Sequence, residues 1–170
     1  MPDLSLRWHS FIVPKDGHAL EEYEDAVAGH PEIGRFAIAD GATESYAAGE
    51  WARHLVTAFV RRGSTGDWLA APREAWRLEV GGGELSWYAE DKLARGAHAT
   101  FLGVSFRLAA DHAEWETVAV GDACLFLLRD EPRPFSFPLI SSTEFTSSPA
   151  LVRTRDVTPP WKSDRGTLRP

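Results

Sequence analysis

The chain has 170 residues, 44% of them hydrophobic and 25% charged, which is typical of one globular domain. Its 18 basic and 25 acidic residues give a net charge of −7 and argue against a nucleic-acid partner, because phosphate contacts need clustered Lys and Arg. The single cysteine, Cys124, excludes an intramolecular disulfide and a multi-cysteine zinc site, and its apolar surroundings predict a buried structural thiol.

The sequence shows no signal for secretion or membrane insertion. Its N-terminus lacks a basic region followed by an apolar one, and no apolar run approaches the about 20 residues of a membrane span. We therefore expect a cytoplasmic protein without a membrane partner.

The first third of the chain predicts three strands and a helix. The strands span residues 4–13, 21–29 and 35–39, and the third reads as buried on both faces. Apolar residues from Ala48 to Val60 recur at helical spacing, with Thr43 or Ser45 as N-cap candidates and Gly63 as the C-cap. Two further helices are predicted, roughly over residues 67–78 and 84–95.

Strands return in the second half, over residues 97–108, 114–120 and 124–128. The last two are predicted to pair as a hairpin across Gly121-Asp122. After Asp130 the chain is rich in Pro, Ser and Thr, so it is expected to be irregular and loose beyond about Thr158. Its ties to the domain are predicted to be Phe135, Phe137 and Leu139. This order predicts an α+β fold with antiparallel strands and helices on one face.

Three acidic steps lie at predicted strand ends: Glu24-Asp25, Asp40-Gly41 and Gly121-Asp122. Carboxylate and carbonyl oxygens are the ligands that Mg²⁺ and Mn²⁺ prefer. Each step alone has a simpler interpretation. Asp-Gly and Gly-Asp are turn sequences, and Glu24-Asp25 follows an acidic run that could be an ordinary solvated surface patch. Together they suggest a divalent-metal site.

The order of four motifs is more specific than any one of them. They are Tyr23-Glu24-Asp25-Ala26, Ile38-Ala39-Asp40-Gly41, Gly96-Ala97-His98-Ala99-Thr100 and the run from Val120 to Arg129. Over about residues 8–130 the chain resembles the metal-dependent protein phosphatase 2C family, or PPM-type phosphatases. That family carries a Glu-Asp-Ala step, an Asp-Gly step, a Gly-x-Thr-Ala strand opening and a Val-Gly-Asp hairpin in this order.

The resemblance implies two antiparallel β-sheets in a sandwich flanked by helix pairs, with two Mn²⁺ or Mg²⁺ ions between the sheets. It implies hydrolysis of phosphoserine and phosphothreonine in proteins by a metal-activated water, without a covalent phosphoenzyme. By the same resemblance Asp40 would bridge the two metals and Gly41 would lend its carbonyl. Glu24 and Asp25 would bind a metal directly or through its waters, and Asp122 would serve a third, weaker metal.

The chain also departs from the family pattern. Leu20 stands where the family has a phosphate-binding arginine, for which Lys15 or His18 are the nearest substitutes. Ala42 replaces a histidine that some members have. His98 stands at the position of the threonine in the strand opening, where it could be a metal ligand or a hydrogen-bonded strand residue.

The later carboxylate steps of the family have no match in residues 131–170. We therefore expect residues 1–130 to be the N-terminal part of a phosphatase domain and residues 131–170 an irregular, incomplete continuation of it. On this view the domain is truncated, lacks its C-terminal strands, and has low or no activity.

Two alternatives remain open. One is a catalytically dead pseudophosphatase or phospho-binding module of the same fold. The other is a metal-dependent hydrolase of another substrate class that uses the same acids. A haloacid-dehalogenase type of phosphatase is disfavoured, because it needs an Asp-x-Asp step where this chain has Asp40-Gly41-Ala42.

Overall fold

The computed structural model describes residues 4–13, 23–81, 87–129, 133–155 and 157–169. The strands are β1 (Asp25–His30), β2 (Arg35–Asp40), β3 (His98–Ala99), β4 (Phe101–Leu108), β5 (Ala113–Val120), β6 (Leu125–Leu127), β7 (Phe135–Phe137), β8 (Val152–Arg153) and β9 (Lys162–Leu168). The helices are α1 (Ala48–Arg62), α2 (Ala70–Val80) and α3 (Trp87–Arg95).

A five-stranded antiparallel sheet, in the order β1-β2-β4-β5-β9, organises the domain. Two small antiparallel pairs, β3 with β8 and β6 with β7, complete the strands in the described ranges. The predicted α+β architecture with antiparallel sheets is thereby confirmed.

Helix α1 covers one face of the sheet and forms the main core with it. Its apolar stripe, which includes Trp51, Leu55 and Phe59, is almost completely buried. The ring of Phe59 presses on the backbone of Gly103 in β4, where a Cβ atom would lie 2.6 Å from the ring. The helix ends at Gly63, whose φ of +71° favours glycine, as the sequence predicted. No described helix is both long and apolar enough to span a lipid bilayer.

The opposite face of the sheet is only partly covered. The β6–β7 pair packs there through Phe137 against Leu102 and Ala119, and the Phe135 ring lies 5.2 Å from that of Trp115. Near β2 the same face is open, and the side chain of Ile38 is 39% exposed. The prediction that residues 35–39 are buried on both faces is therefore wrong.

Residues 4–13 were predicted to form a strand, but the structure assigns none there. The alternation itself is real, since Leu4, Leu6 and Trp8 are half-buried while the residues between them are exposed. Trp8 packs on Phe36 of β2, with ring centroids 5.9 Å apart. One-sided packing therefore produces the period of two without a hydrogen-bonded partner strand.

The predicted hairpin between β5 and β6 does not form. β5 pairs with β4 and β9, whereas β6 pairs with β7. Gly121 leaves β5 with a φ of +100°, and a Cβ atom there would lie 2.7 Å from Thr100 and 2.8 Å from the carbonyl of Ala150. The chain thus turns away at a close backbone contact instead of folding back on β5.

The tail is more ordered than predicted. β9 pairs with seven residues of β5, so the expectation of loose chain beyond about Thr158 is wrong for Lys162–Leu168. This strand is polar and mostly exposed, and hydrogen bonds at a sheet edge require no apolar alternation. The predicted tie through Phe137 is confirmed, because that residue is buried.

The start of α1 also differs from the prediction. Neither Thr43 nor Ser45 caps it, because the N-cap is Ala47, in a left-handed conformation with φ of +53°. The hydroxyl of Ser45 instead donates to the carbonyl of Ala42, at 2.7 Å, and accepts from the N–H of His98, at 3.2 Å. It fixes the loop after β2 against β3.

Candidate active site

Asp25 and Asp40 lie side by side at one end of the five-stranded sheet. Asp25 begins β1, Asp40 ends β2, and the two are direct partners in the antiparallel register. Directly opposed residues place their side chains on the same face, with Cβ atoms about 4.5–5.5 Å apart. Both residues are exposed, so two carboxylates point from one surface into solvent.

Tyr23 completes this acidic corner. Burial, a hydrogen bond from its hydroxyl to Asp25, and the negative charges of Asp25 and Asp40 together raise the pKa of Tyr23 to about 12. The sequence interpretation did not single out this tyrosine. Its position two residues before Asp25 was the available signal, since residues i and i+2 of an extended chain share a face.

Gly41 joins the ends of three elements. Its N–H donates to the carbonyl of Glu24 at 3.3 Å, and it forms a β-bridge with Ala99. A Cβ atom at Gly41 would lie 2.8 Å from the backbone of Ala48 and from the carbonyl of Glu24. Glycine is required here because the backbone of α1 and the backbone before β1 both approach it closely.

Asp122 follows β5 and reaches the same end of the sheet through its neighbours. Gly121 packs on Thr100, and the N–H of Thr100 donates to the carbonyl of Asp40 at 2.9 Å. The thiol of Cys124 donates to the carbonyl of Asp122 at 3.2 Å, and burial raises the pKa of that half-buried thiol. Cys124 is therefore held in its neutral form, but it is half-buried and not buried as the sequence predicted.

An apolar groove of about 490 Å³ runs along the open face of the sheet and reaches Tyr23, Asp25 and Asp40 at one end. Side chains of the N-terminal segment and of β2 form its walls; they are Trp8, Phe11, Phe36 and Ile38. Ala123, next to Asp122, also lines it.

The predicted metal ligands are therefore gathered only in part. The structure brings Asp25 and Asp40 together and places the backbones of Glu24 and Gly41 beside them. Within the described ranges, no group of three or more His, Cys, Asp and Glu side chains could hold a metal ion. The predicted phosphate-binding residues, Lys15 and His18, lie outside the described residues.

The fold matches solved structures of a protein phosphatase. One is the serine/threonine phosphatase PstP/Ppp of Mycobacterium tuberculosis, with a TM-score of 0.52 and 19% identity over 84% of this chain and 67% of that chain. Another is the catalytic domain of PstP in complex with two manganese ions, with a TM-score of 0.53 and 20% identity over 89% of this chain and 70% of that one.

No protein-family model matches the chain, and neither does any curated protein. At 19–20% identity the structural likeness defines the fold and nothing finer. The domain has the fold of the PPM-type phosphatases, and the resemblance drawn from the four motifs is confirmed at that level.

Proposed function

We propose that this domain is a metal-dependent phosphatase of the PPM type that hydrolyses phosphoserine and phosphothreonine in proteins. The observation that carries the proposal is the direct pairing of Asp25 with Asp40 at the end of a sheet of this fold. Two like charges at directly opposed strand positions repel each other, and a cation bound by both carboxylates would offset that repulsion.

The donor chemistry fits Mn²⁺ or Mg²⁺. These ions favour oxygen ligands, retain several waters, and are commonly held by only one or two protein carboxylates. Burial is the main cause of the raised pKa of Tyr23, and the negative charges of Asp25 and Asp40 add to it; a bound cation would offset these two charges. Asp25 and Asp40 would hold two ions between them, with the Gly41 carbonyl as a further ligand, and Glu24 and Asp122 as outer contributors.

When bound, such ions supply an acidified water and neutralise phosphoryl oxygens. The chain's own residues orient and fix the site. Gly41 locks the end of β2 to the residue before β1, and Thr100 locks it to β4 through its N–H bond to Asp40. The hydroxyl of Tyr23 donates to Asp25, which limits the rotation of that carboxylate. The apolar groove beside the acids can accept the body of a peptide.

A phosphate-release assay on the 170-residue chain tests the proposal. We expect low but Mn²⁺-dependent hydrolysis of p-nitrophenyl phosphate and of a phosphoserine peptide, which Asp40→Asn and Asp25→Asn should each reduce at least 100-fold. The matched control is Asp164→Asn, an exposed carboxylate on β9 at the other edge of the same sheet, which should retain activity. Equal activity in all three variants would overturn the two-carboxylate site.

A phospho-binding module without catalysis is the second candidate. The observation that favours it concerns the metal ligands. Asp25 and Asp40 pair here, but the described residues contain no group of three or more side chains that could hold a metal ion. Calorimetric titration with Mn²⁺ separates the two candidates. Micromolar uptake that disappears in Asp40→Asn supports the enzyme, whereas phosphopeptide binding without metal uptake supports the binding module.

A further inference from the structure

A second cavity, of about 630 Å³, also has Asp40 on its wall, but its lining is polar and cationic where that of the first groove is apolar. Three cationic side chains, Lys92, Arg95 and Arg153, line it together with His98. Among the described residues that line it, Asp40 and Glu44 are the acidic ones, so cationic side chains outnumber carboxylates there. We call it the Thr100 cavity, after the residue that lines it next to Asp40.

The hydroxyl of Thr100 is the independent sign of a ligand. Thr100 is only 3% exposed, and its buried Oγ1 atom has no hydrogen-bond partner among the residues that the structure describes. Buried hydroxyls nearly always have a partner in native proteins, and Thr100 lines this cavity, so a small shift of its side chain would let the hydroxyl bond with a group that enters. A hydroxyl can donate to an anion, which matches the cations around it.

The walls of the Thr100 cavity are fixed in advance. The hydroxyl of Ser45 ties the loop after β2 to β3. The N–H of Gly96 donates to the carbonyls of Lys92 and Leu93, both at 3.1 Å, and ends α3 there. On the far wall, Nε of Arg73 donates to the carbonyl of Arg153 at 3.1 Å. Such a framework lowers the ordering cost of binding.

We infer that the Thr100 cavity binds an acidic side chain that flanks the phosphorylated residue of the substrate peptide. The inference rests on the proposed function, because Asp40 is shared between the cavity and the acidic corner. Arg95 bonds to Asp91 at 2.6 Å, but both side chains are more than 60% exposed, so a peptide carboxylate can replace that partner at little cost. The substrate class is thus a phosphopeptide with Asp or Glu close to the phosphoserine.

Fluorescence anisotropy with three labelled phosphoserine peptides, flanked by Glu, Ala or Lys, tests this without turnover if Mn²⁺ is omitted. We expect the Glu-flanked peptide to bind at least five-fold more tightly than the Lys-flanked one. The double variant Lys92→Gln/Arg95→Gln should reduce that ratio about five-fold, as expected for two charge pairs that solvent can reach. Its matched control is Arg77→Gln/Arg107→Gln, which removes two exposed, ion-paired cations from outside the cavity.

Thr100→Val gives a sharper test because it preserves side-chain shape and the backbone bond to Asp40. Removing a buried hydroxyl without a partner should leave the thermal midpoint of the unliganded chain unchanged or raised. Affinity for the Glu-flanked peptide should fall at least three-fold while affinity for the Ala-flanked peptide stays the same. A lowered midpoint with unchanged peptide affinities would show an ordinary structural hydroxyl and overturn the inference.

The outcomes separate this inference from the proposed function. Selectivity for the Glu-flanked peptide in a parent chain that releases no phosphate with Mn²⁺ would support the cavity and refute the enzyme. Phosphate release at equal rates from all three peptides, with equal affinities, would support the enzyme and refute the cavity as the recognition site.

Discussion

Asp25 and Asp40 are directly opposed across the β1–β2 ladder, so their side chains lie on the same face of the sheet. The pairing follows from the short connection between the strands, whose register is fixed from Asp25–Asp40 at one end to His30–Arg35 at the other. A one-residue slip would turn one carboxylate to the opposite face. The register therefore determines whether the two acids can share a cation.

Replacing one of these acids should stabilise the metal-free protein. In Asp25→Asn we expect the free energy of unfolding to rise by about 0.2–1 kcal/mol, because like charges at opposed strand positions are destabilising. The amide oxygen still accepts from Tyr23. With Mn²⁺ the order should reverse, since ligand binding stabilises only the state that binds it. Urea unfolding with and without Mn²⁺ measures both effects.

Asp164→Asn is again the control, and it should change neither value. A lower stability of Asp25→Asn without metal would mean that the carboxylate stabilises the fold and that repulsion is not its main effect.

The high pKa of Tyr23 predicts a loss of stability at alkaline pH. An ordinary tyrosine titrates near 10, whereas burial, the hydrogen bond to Asp25 and the two carboxylate charges raise the pKa of Tyr23 to about 12. Between these values the tyrosine of the unfolded chain loses its proton before that of the folded chain does. The stability that Tyr23 contributes should therefore be fully present below pH 10 and fall as the pH rises toward 12. Urea midpoints at several pH values in this window measure the slope.

Tyr23→Phe provides the comparison, because it retains the ring and removes the titrating hydroxyl. Its slope between pH 10 and 12 should be shallower than that of the parent chain, and the variant's absorbance titration at 295 nm should lack the step near pH 12 that the parent shows. Identical slopes would exclude Tyr23 as the group responsible.

Local signals in the sequence predicted much of this fold. Helix α1 was predictable because its apolar stripe and Gly63 act within a few turns. The three acidic steps together suggested that Asp25 and Asp40 share a site, and the structure brings them together through two short strands joined by a turn. The partner of β6 was not predictable, because a close contact of Gly121 with Thr100 decides it from a distant part of the chain.

The same limit applies to the polar features. β9 has no apolar alternation, because as a sheet edge it is held by backbone bonds to β5. Ser45 has the chemistry of an N-cap, but the N–H of His98 competes for its hydroxyl. The cationic lining of the Thr100 cavity comes from α3 and β8, which are far apart in sequence. Such sites depend on tertiary contacts that no local pattern encodes.

Gly41 should tolerate no larger residue. In Gly41→Ala the new Cβ would meet backbone atoms of Ala48 and Glu24 at 2.8 Å, and backbone cannot move aside as a side-chain tip can. We expect a loss of about 2–3 kcal/mol in the free energy of unfolding, the usual effect of overpacking, together with weaker Mn²⁺ uptake. Thermal and urea unfolding measure the first effect and calorimetry the second.

Gly49→Ala makes a close comparison, since Gly49 lies in the first turn of α1, next to the same segment. There the nearest atom to a new Cβ, the Cα of Glu24, is 3.4 Å away, an ordinary contact. Alanine is favoured over glycine in a helix by up to about 1 kcal/mol, so this variant should be as stable as the parent or more so. Equal losses in the two variants would contradict the close approach at Gly41.

Trp51 should hold β8 to the core. Its side chain is fully buried, and its Nε1 donates to the carbonyl of Val152 at 2.9 Å. Trp51→Phe leaves that carbonyl without its donor and removes ring volume, so we expect a loss of about 2–3 kcal/mol. Because the N–H of Thr154 bonds to Ala97 beside this contact, its hydrogen exchange should accelerate more than that of amides in β4.

Val56→Ala separates a local effect from a general one. Val56 is equally buried on the same face of α1, so its truncation should also lower the free energy of unfolding, by the same cavity mechanism. It makes no bond to β8, so exchange at Thr154 and in β4 should accelerate in proportion. If Trp51→Phe gave that same uniform pattern, the bond from Trp51 to Val152 would not be what anchors β8. It would then not anchor the wall of the Thr100 cavity that β8 forms either.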